Sequence, residues 1–235
     1  AQTCLQKFPT PSLVLEQGIE GITQHWKEVG LKAVGVKRAT KLCEAAKRSV
    51  GISQGLRAAR EELSLLLEEY SLLKHQEQRI MALVEELLSK IPACRELLKI
   101  KGIGLVTAAG FLSEVGDITR FDSPKQVQKY AGLNLKENSS GKHKGRTTIS
   151  KRGRSRLRAL LFRAVMPLVA KNDEFRELHR HYTTRPENPL AKKQSLVALM
   201  CKLIRVFYAI LTKNVAYDGR KMLNDIQRPV LQLAA

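Results

Sequence analysis

The chain has 235 residues, 43% of them hydrophobic, and its 41 Lys and Arg residues outweigh 22 Asp and Glu residues to give a net charge of +19. This composition supports a packed core in one or two domains and excludes global disorder, and no uncharged run of about 18 apolar residues predicts a membrane span. The widely spaced Cys4, Cys43, Cys94 and Cys201 match no metal-ligand pattern, which favours reduced thiols in a cytoplasmic protein. The chain opens with Ala1 and has no signal peptide, so we expect a piece of a longer or processed protein.

Residues 1–50 predict a helical connector of short helices separated by glycine-containing loops. The stretch 34–46 reads either as a degenerate helix-hairpin-helix, with Lys37 in place of the second glycine, or as an ordinary helix–turn–helix packing unit.

Residues 51–91 carry a heptad repeat and predict a coiled coil. Their seam steps by four and three residues, and eleven of its twelve positions are apolar, Glu77 being the exception. The seam consists of Ile52, Leu56, Ala59, Leu63, Leu66, Tyr70, Leu73, Glu77, Ile80, Val84, Leu87 and Ile91. A helix of about 60 Å cannot bury such a stripe alone, so we expect self-association through 52–91; packing within its own domain is the alternative. Pro92 is expected to stop the helix.

Residues 92–116 have the signature of a helix-hairpin-helix. Lys101-Gly102-Ile103-Gly104 is followed by a helix rich in small residues. The glycines permit a tight turn, and the N–H groups that open the second helix suit a phosphate. A tight helix corner that touches no nucleic acid is the alternative. Further on, Ser123 and Pro124 predict the start of a short helix, with Asp117 and Asp122 in turn and cap roles.

Residues 134–156 predict a polar, basic loop. The wider span 136–163 holds ten Lys and Arg residues against Glu137, a net charge of +9. Such a segment binds a polyanion because each phosphate contact releases a counterion. Nucleic-acid contacts are therefore expected from Lys101, Gly102, Gly104, Lys142, Lys144, Arg146, Lys151, Arg152 and Arg154. A solvated basic face is the alternative, and an anionic membrane is disfavoured because apolar anchors are missing.

Ser140 is the candidate nucleophile. It lies in Ser139-Ser140-Gly141, directly before the cations, where a serine could attack a phosphodiester and the cations would stabilise the developing charge. The tripeptide is also common in linkers. The scattered histidines and carboxylates predict no metal site in this chain, and there is no P-loop.

Residues 157–235 predict C-terminal helices with two apolar stripes, and no useful strand pattern occurs. The predicted fold is therefore mainly all-α: a long coiled-coil helix followed, over 92–235, by a compact helical domain with a helix-hairpin-helix and a basic loop.

Six motifs in order resemble the C-terminal half of the insertion sequence 110 family of transposases over roughly residues 91–215. They are Lys101-Gly102-Ile103-Gly104, Phe121-Asp122-Ser123, Tyr130-Ala131-Gly132-Leu133, Ser140-Gly141, Ile149-Ser150-Lys151-Arg152-Gly153 and Leu157-Arg158. The chain departs from the family pattern where Lys101 replaces a common Pro and where Asn134-Leu135 replaces Thr-Pro.

The resemblance implies a DNA recombinase of the prokaryotic cytoplasm and nucleoid. In that family a serine nucleophile, here Ser140 with Ser139 as its neighbour, acts with a RuvC-like domain that holds Mg²⁺ through acidic residues. A structured bridge RNA guides the reaction, and the coiled coil joins protomers. No acidic half occurs in this chain, so the RuvC-like domain is expected before Ala1, and the fragment alone is expected to be inactive. No cofactor is expected within the fragment itself.

Three other interpretations remain open. The chain could be a nucleic-acid-binding and oligomerisation module without chemistry, a truncated transposase remnant, or a structural or RNA-packaging protein.

Overall fold

The computed structural model describes residues 2–51, 54–136, 139–140, 143–144 and 147–227. Eleven α-helices hold most of these residues, and the β-structure within them is limited to four strands of two residues each. The predicted all-α class is confirmed. The chain divides into two compact units, residues 1–81 and 82–235.

The first unit is built on a helical hairpin. Its helices are α1 (Gln2–Lys7), α2 (Pro11–Glu28), α3 (Val36–Lys47) and the first part of α4 (Leu56–Ser89). Ile22 and Trp26 of α2 pack against Ala39 and Cys43 of α3. Gly35 caps the start of α3 with its backbone extended. The stretch 34–46 thus holds the end of the turn and most of α3, which packs against α2, and both predicted interpretations of it stay open.

Helix α4 carries the predicted heptad seam but is shorter than the predicted coiled coil. It runs over Leu56–Ser89, and the first seam residue, Ile52, lies outside the described residues. The prediction that Pro92 stops the helix is wrong, because α4 ends three residues earlier and Pro92 starts the next helix. Proline is well suited to a first helical position, where no N–H partner is needed.

The apolar seam of α4 is exposed in the single chain. Five seam side chains are between 53% and 60% exposed: Leu66, Tyr70, Leu73, Ile80 and Leu87. Leu88 is the only described residue of α4 that is buried. A stripe of this length left uncovered favours a helical partner, so self-association stays a prediction that the exposure supports.

The second unit is a helical domain around α8. Its elements are α5 (Pro92–Lys99), α6 (Leu105–Val115), a 3-10 helix (Ile118–Arg120), α7 (Pro124–Tyr130), α8 (Ser155–Lys171), α9 (Asp173–Thr184), α10 (Lys192–Lys213) and α11 (Gly219–Gln227). Helix α8 packs against α6, α9 and α10. Both predicted apolar stripes supply the core: Leu161 and Leu168 from α8, and Leu203 and Phe207 from α10, are fully buried.

Helix α10 is long and apolar enough, by length and composition alone, to cross a bilayer. Core helices of water-soluble proteins pass the same test, and the buried face of α10 packs against α5, α7, α8 and α9.

Helix α7 begins and ends close to the predicted positions. Ser123 is its N-cap residue with an extended backbone, Pro124 is its first residue, and the helix ends at Tyr130. The Ser123 side chain makes no capping hydrogen bond.

Upstream, Asp117 has the predicted cap role, because its carboxylate accepts from the Thr119 N–H at 2.9 Å and from the Thr119 hydroxyl at 2.7 Å. These bonds, with a smaller contribution from Arg120, lower the pKa of Asp117.

Candidate nucleic-acid interface and serine hairpin

The segment between α7 and α8 contains two short antiparallel strand pairs where the sequence predicts a loop. Strand β1 (Leu135–Lys136) pairs with β4 (Thr148–Ile149) at the base, and β2 (Ser139–Ser140) pairs with β3 (His143–Lys144) farther out. Ser140 pairs with His143. The candidate nucleophile therefore belongs to a hydrogen-bonded strand pair rather than to an unstructured linker.

The two strand pairs are out of step by one residue. Two residues, 137–138, separate β1 from β2, and three residues, 145–147, separate β3 from β4.

Two predicted motifs lie against each other below this hairpin. Three backbone N–H groups of 150–154 donate to carbonyl groups of 130–134. The bonds are Ser150 N–H to Asn134 at 2.7 Å, Lys151 N–H to Gly132 at 3.0 Å and Arg154 N–H to Tyr130 at 2.8 Å. We call residues 130–134 and 150–154 the clasp, because together they hold both ends of the hairpin.

Two glycines permit the close approach of the clasp strands. Gly132 has φ +71°, and a Cβ there would lie 2.9 Å from the backbone carbon of Lys151. Gly153 has φ +143°, and a Cβ there would overlap the carbonyl oxygen of Tyr130 and lie 2.9 Å from the backbone nitrogen of Gly132. Both the backbone conformation and the space exclude larger residues, which explains the glycine in each motif.

Arg158 adds a third motif to the clasp. From the first turns of α8 its guanidinium donates to the carbonyl of Ala131 at 3.0 Å and to that of Lys151 at 3.3 Å. The sequence indicates this side chain as part of the positive charge and of the Leu157-Arg158 motif. In the structure it is half-buried and ties both strands of the clasp to the core helix.

Exposed cations surround the clasp. Lys151, Arg152, Arg154 and Arg156 are all exposed, and Arg154 donates to the Glu114 carboxylate at 3.1 Å. Of the other predicted contacts, Lys142 and Arg146 lie outside the described residues, as does Gly141 next to the serine. For Ser140 and Lys144 the structure describes only the backbone, in the pairing of β2 with β3.

The predicted glycine turn lies away from the clasp. Gly102, at φ +104°, connects α5 to α6, and a Cβ there would lie 3.2 Å from the Cα of Leu168 in α8. Arg158 and Leu168 are ten residues apart on α8, about 15 Å along the helix. Lys101 and Gly104 are exposed beside this turn. The turn is thus firmly placed against α8, and its contact with phosphate stays a prediction.

Tyr130 joins the clasp to a second arginine that the sequence does not single out. Arg120, at the end of the 3-10 helix, lies 4.7 Å from the ring centroid of Phe121 and 5.1 Å from that of Tyr130. The guanidinium of Arg154 lies 5.8 Å from the same Tyr130 ring.

Within the described residues, no group of three or more His, Cys, Asp or Glu side chains is placed to hold a metal ion. The Mg²⁺ implied by the family resemblance stays a prediction.

Comparison with known proteins identifies the segment that holds these features. Residues 94–180 match the model of the transposase IS116/IS110/IS902 family. The pilin gene-inverting protein of Moraxella bovis is 30% identical over 176 residues, which cover 70% of this chain and 53% of that protein.

Two further relatives are named as transposases. The transposase for insertion sequence element IS1111A of Coxiella burnetii is 28% identical over 151 residues, 63% of this chain and 42% of that protein. A probable family 20 transposase of Pseudomonas aeruginosa is 32% identical over 128 residues, 52% and 36% of the two chains. The chain thus spans about half or less of the length of these curated relatives. Residues 94–180, which include the glycine turn, the clasp and the serine hairpin, are thus similar to the transposases of the IS116/IS110/IS902 family.

Proposed function

We propose that this chain is the nucleic-acid-binding and nucleophile-bearing part of a DNA recombinase, with Ser140 as the nucleophile. One observation carries the proposal: the hairpin that bears Ser140 is held by a clasp made of two family motifs, and exposed cations occupy residues 151–156 at that clasp, inside the matched segment. The names of the relatives, a pilin gene-inverting protein and transposases, also describe rearrangement of DNA.

The proposed reaction is a transesterification at a DNA phosphate. The Ser140 Oγ attacks phosphorus, the new Oγ–P bond forms, and the bond from phosphorus to the departing strand breaks. The serine proton passes through water to the deoxyribose oxygen that is released as a hydroxyl group. One phosphodiester is exchanged for another, so no external energy source is needed, and reversal reseals the DNA. Nearby cations such as Lys151 and Arg152 would stabilise charge on the phosphate oxygens.

The family resemblance extends the proposal to partners outside the described residues. We propose that Mg²⁺ is bound by a RuvC-like domain, that a structured bridge RNA selects the DNA, and that the protein works on the nucleoid in the cytoplasm. Protomers would pair through the exposed seam of α4, which the 55% exposure of Leu66 and Leu73 supports.

The test compares two adjacent serines in the protein expressed from its complete reading frame, with Mg²⁺, element-derived RNA and labelled target DNA. Ser140→Ala is expected to abolish a denaturant-resistant protein–DNA adduct while leaving DNA affinity within about twofold. Ser139→Ala is the matched control and should keep the adduct. A normal adduct yield from Ser140→Ala would remove this serine from the proposal.

A binding and assembly module without chemistry is the second candidate, and the exposed seam and cations favour it equally. The same experiment separates the two. If wild-type protein binds DNA with steep salt dependence and never forms an adduct, the module is the better description.

A further inference from the structure

Arg120 lies on an aromatic platform at the edge of the clasp. Its guanidinium is 4.7 Å from the Phe121 ring centroid and 5.1 Å from the Tyr130 centroid, and the two rings are themselves 5.4 Å apart. The side chain is exposed, although its position is defined by two rings. A guanidinium held against aromatic rings in this way can still donate from its N–H groups to an anion.

The positive charge of Arg120 is not matched by a carboxylate in direct contact. Among the described residues no Asp or Glu forms an ion pair with it. The closest acidic influence is Asp117, whose carboxylate already accepts two hydrogen bonds from Thr119. The guanidinium edge therefore remains free to bind a ligand.

Arg154 makes this a two-arginine site. Its guanidinium lies 5.8 Å from the Tyr130 ring, and its backbone N–H donates to the Tyr130 carbonyl at 2.8 Å. Glu114 neutralises one of the two arginines, through a 3.1 Å contact with Arg154. Lys151 and Arg152, exposed in the same strand of the clasp, add two further charges. Like charges held on one platform repel each other, and a bound polyanion removes that cost.

We propose that Arg120 binds a backbone phosphate of nucleic acid and extends the basic surface from 151–156 to the 3-10 helix. The inference rests on the proposed nucleic-acid-binding function. It adds a contact from Arg120, which lies outside the basic segment 136–163. The ligand is a phosphodiester backbone, because a stacked arginine on a rigid ring fixes a strand's position without reading its bases. Tyr130 is a positioning residue here, since it holds the guanidinium and does not itself touch the phosphate.

Salt titration of binding tests this directly on the chain as it stands. Duplex DNA of mixed sequence and a single-stranded RNA of equal length are the probes, with dissociation constants measured from low to moderate salt. Each lost phosphate contact on duplex DNA lowers the log–log salt slope by about 0.9. Arg120→Gln is expected to lower the slope by about that amount, to a similar extent for unrelated sequences, and to weaken binding severalfold.

Two further variants separate charge from packing. Arg120→Met keeps a long apolar stem for the rings and removes only the charge, so it should reproduce the slope change. Arg180→Gln is the matched control, because this exposed arginine is already paired with Glu177 at 2.6 Å and should leave the slope unchanged. Arg120→Lys keeps the charge and should retain the wild-type slope.

The outcomes distinguish this inference from the proposed function. Salt-independent binding by the wild-type chain would contradict the proposed function itself. A steep wild-type slope that persists unchanged in Arg120→Met would overturn the role of Arg120 alone. A slope change on either probe supports the phosphate contact, and the probe that shows it identifies the nucleic acid that Arg120 binds.

Discussion

Replacing Gly153 by alanine tests whether the clasp is the structural basis of the serine hairpin. At this position φ is +143°, and the new Cβ would overlap the carbonyl oxygen of Tyr130. That oxygen cannot easily retreat, because it accepts the N–H of Arg154 at 2.8 Å. We expect the clasp to open rather than to absorb the clash.

The cost of opening comes from the bonds that would be lost. Three backbone hydrogen bonds close the clasp, at about 1 kcal/mol each, and Arg158 adds charge-assisted bonds to Ala131 and Lys151. Some of the freed groups form hydrogen bonds with water, which offsets part of the loss. We therefore expect Gly153→Ala to lower the free energy of unfolding by about 2–4 kcal/mol. For a chain of this size that corresponds to a fall in Tm of about 6–12 °C.

Gly116→Ala is the matched control for this substitution. Gly116 also has a positive φ, +68°, but nothing lies within 4 Å of a Cβ built there. Its replacement should cost only the backbone strain, about 1–2 kcal/mol. Urea unfolding compares the two variants, and hydrogen exchange follows the amides of Lys151 and Arg154. Equal stabilities, with both amides still protected in Gly153→Ala, would refute the reasoning.

Two other substitutions probe the α4 seam and the C-terminal core. Leu66→Asp should weaken self-association at least tenfold, measured by sedimentation equilibrium, whereas Leu65→Asp, at a 59% exposed position off the seam, should not; equal effects would contradict a heptad interface. Burial, with a smaller contribution from Glu174, raises the pKa of Tyr217 to about 12. The stability from this neutral phenol is therefore complete below about pH 10 and falls as the pH rises towards 12. Tyr217→Phe should remove that part of the fall in the free energy of unfolding, measured by urea unfolding across this pH range. A fall parallel to that of the wild type would contradict the role of Tyr217.

Much of the fold can be predicted because the apolar residues on the buried face of a helix recur at regular spacing in the sequence. The two apolar stripes over 157–235 are predicted from their spacing, and in the structure Leu161 of α8 and Phe207 of α10 are fully buried. The α4 seam is equally regular in its spacing. Its predicted end is misplaced because Pro92 excludes a helix interior but suits a helix start, so proline alone does not mark which helix it belongs to.

The hairpin and its clasp cannot be predicted from periodicity. Strands of two residues are too short to show alternation, and their pairing depends on contacts between 130–134 and 150–154, some 20 residues apart. The sequence indicates Arg158 as a charge and as part of a motif, but it does not distinguish a solvated cation from one that binds two carbonyl groups. Arg120 escapes notice because 117–122 has a net charge of −1, from one Arg and two Asp, so only its aromatic neighbours could have indicated it.

The clasp also separates the length of the hairpin from the stability of the domain. The backbone hydrogen bonds of the clasp hold both ends of the eleven residues 137–147 next to the core, where β1 pairs with β4. The entropy cost of bringing these two ends together is therefore already offset. Lengthening a closed loop then costs only about 0.6 kcal/mol per doubling. The hairpin could therefore be lengthened, and Ser140 carried farther from the core, at little cost to the stability of the helices.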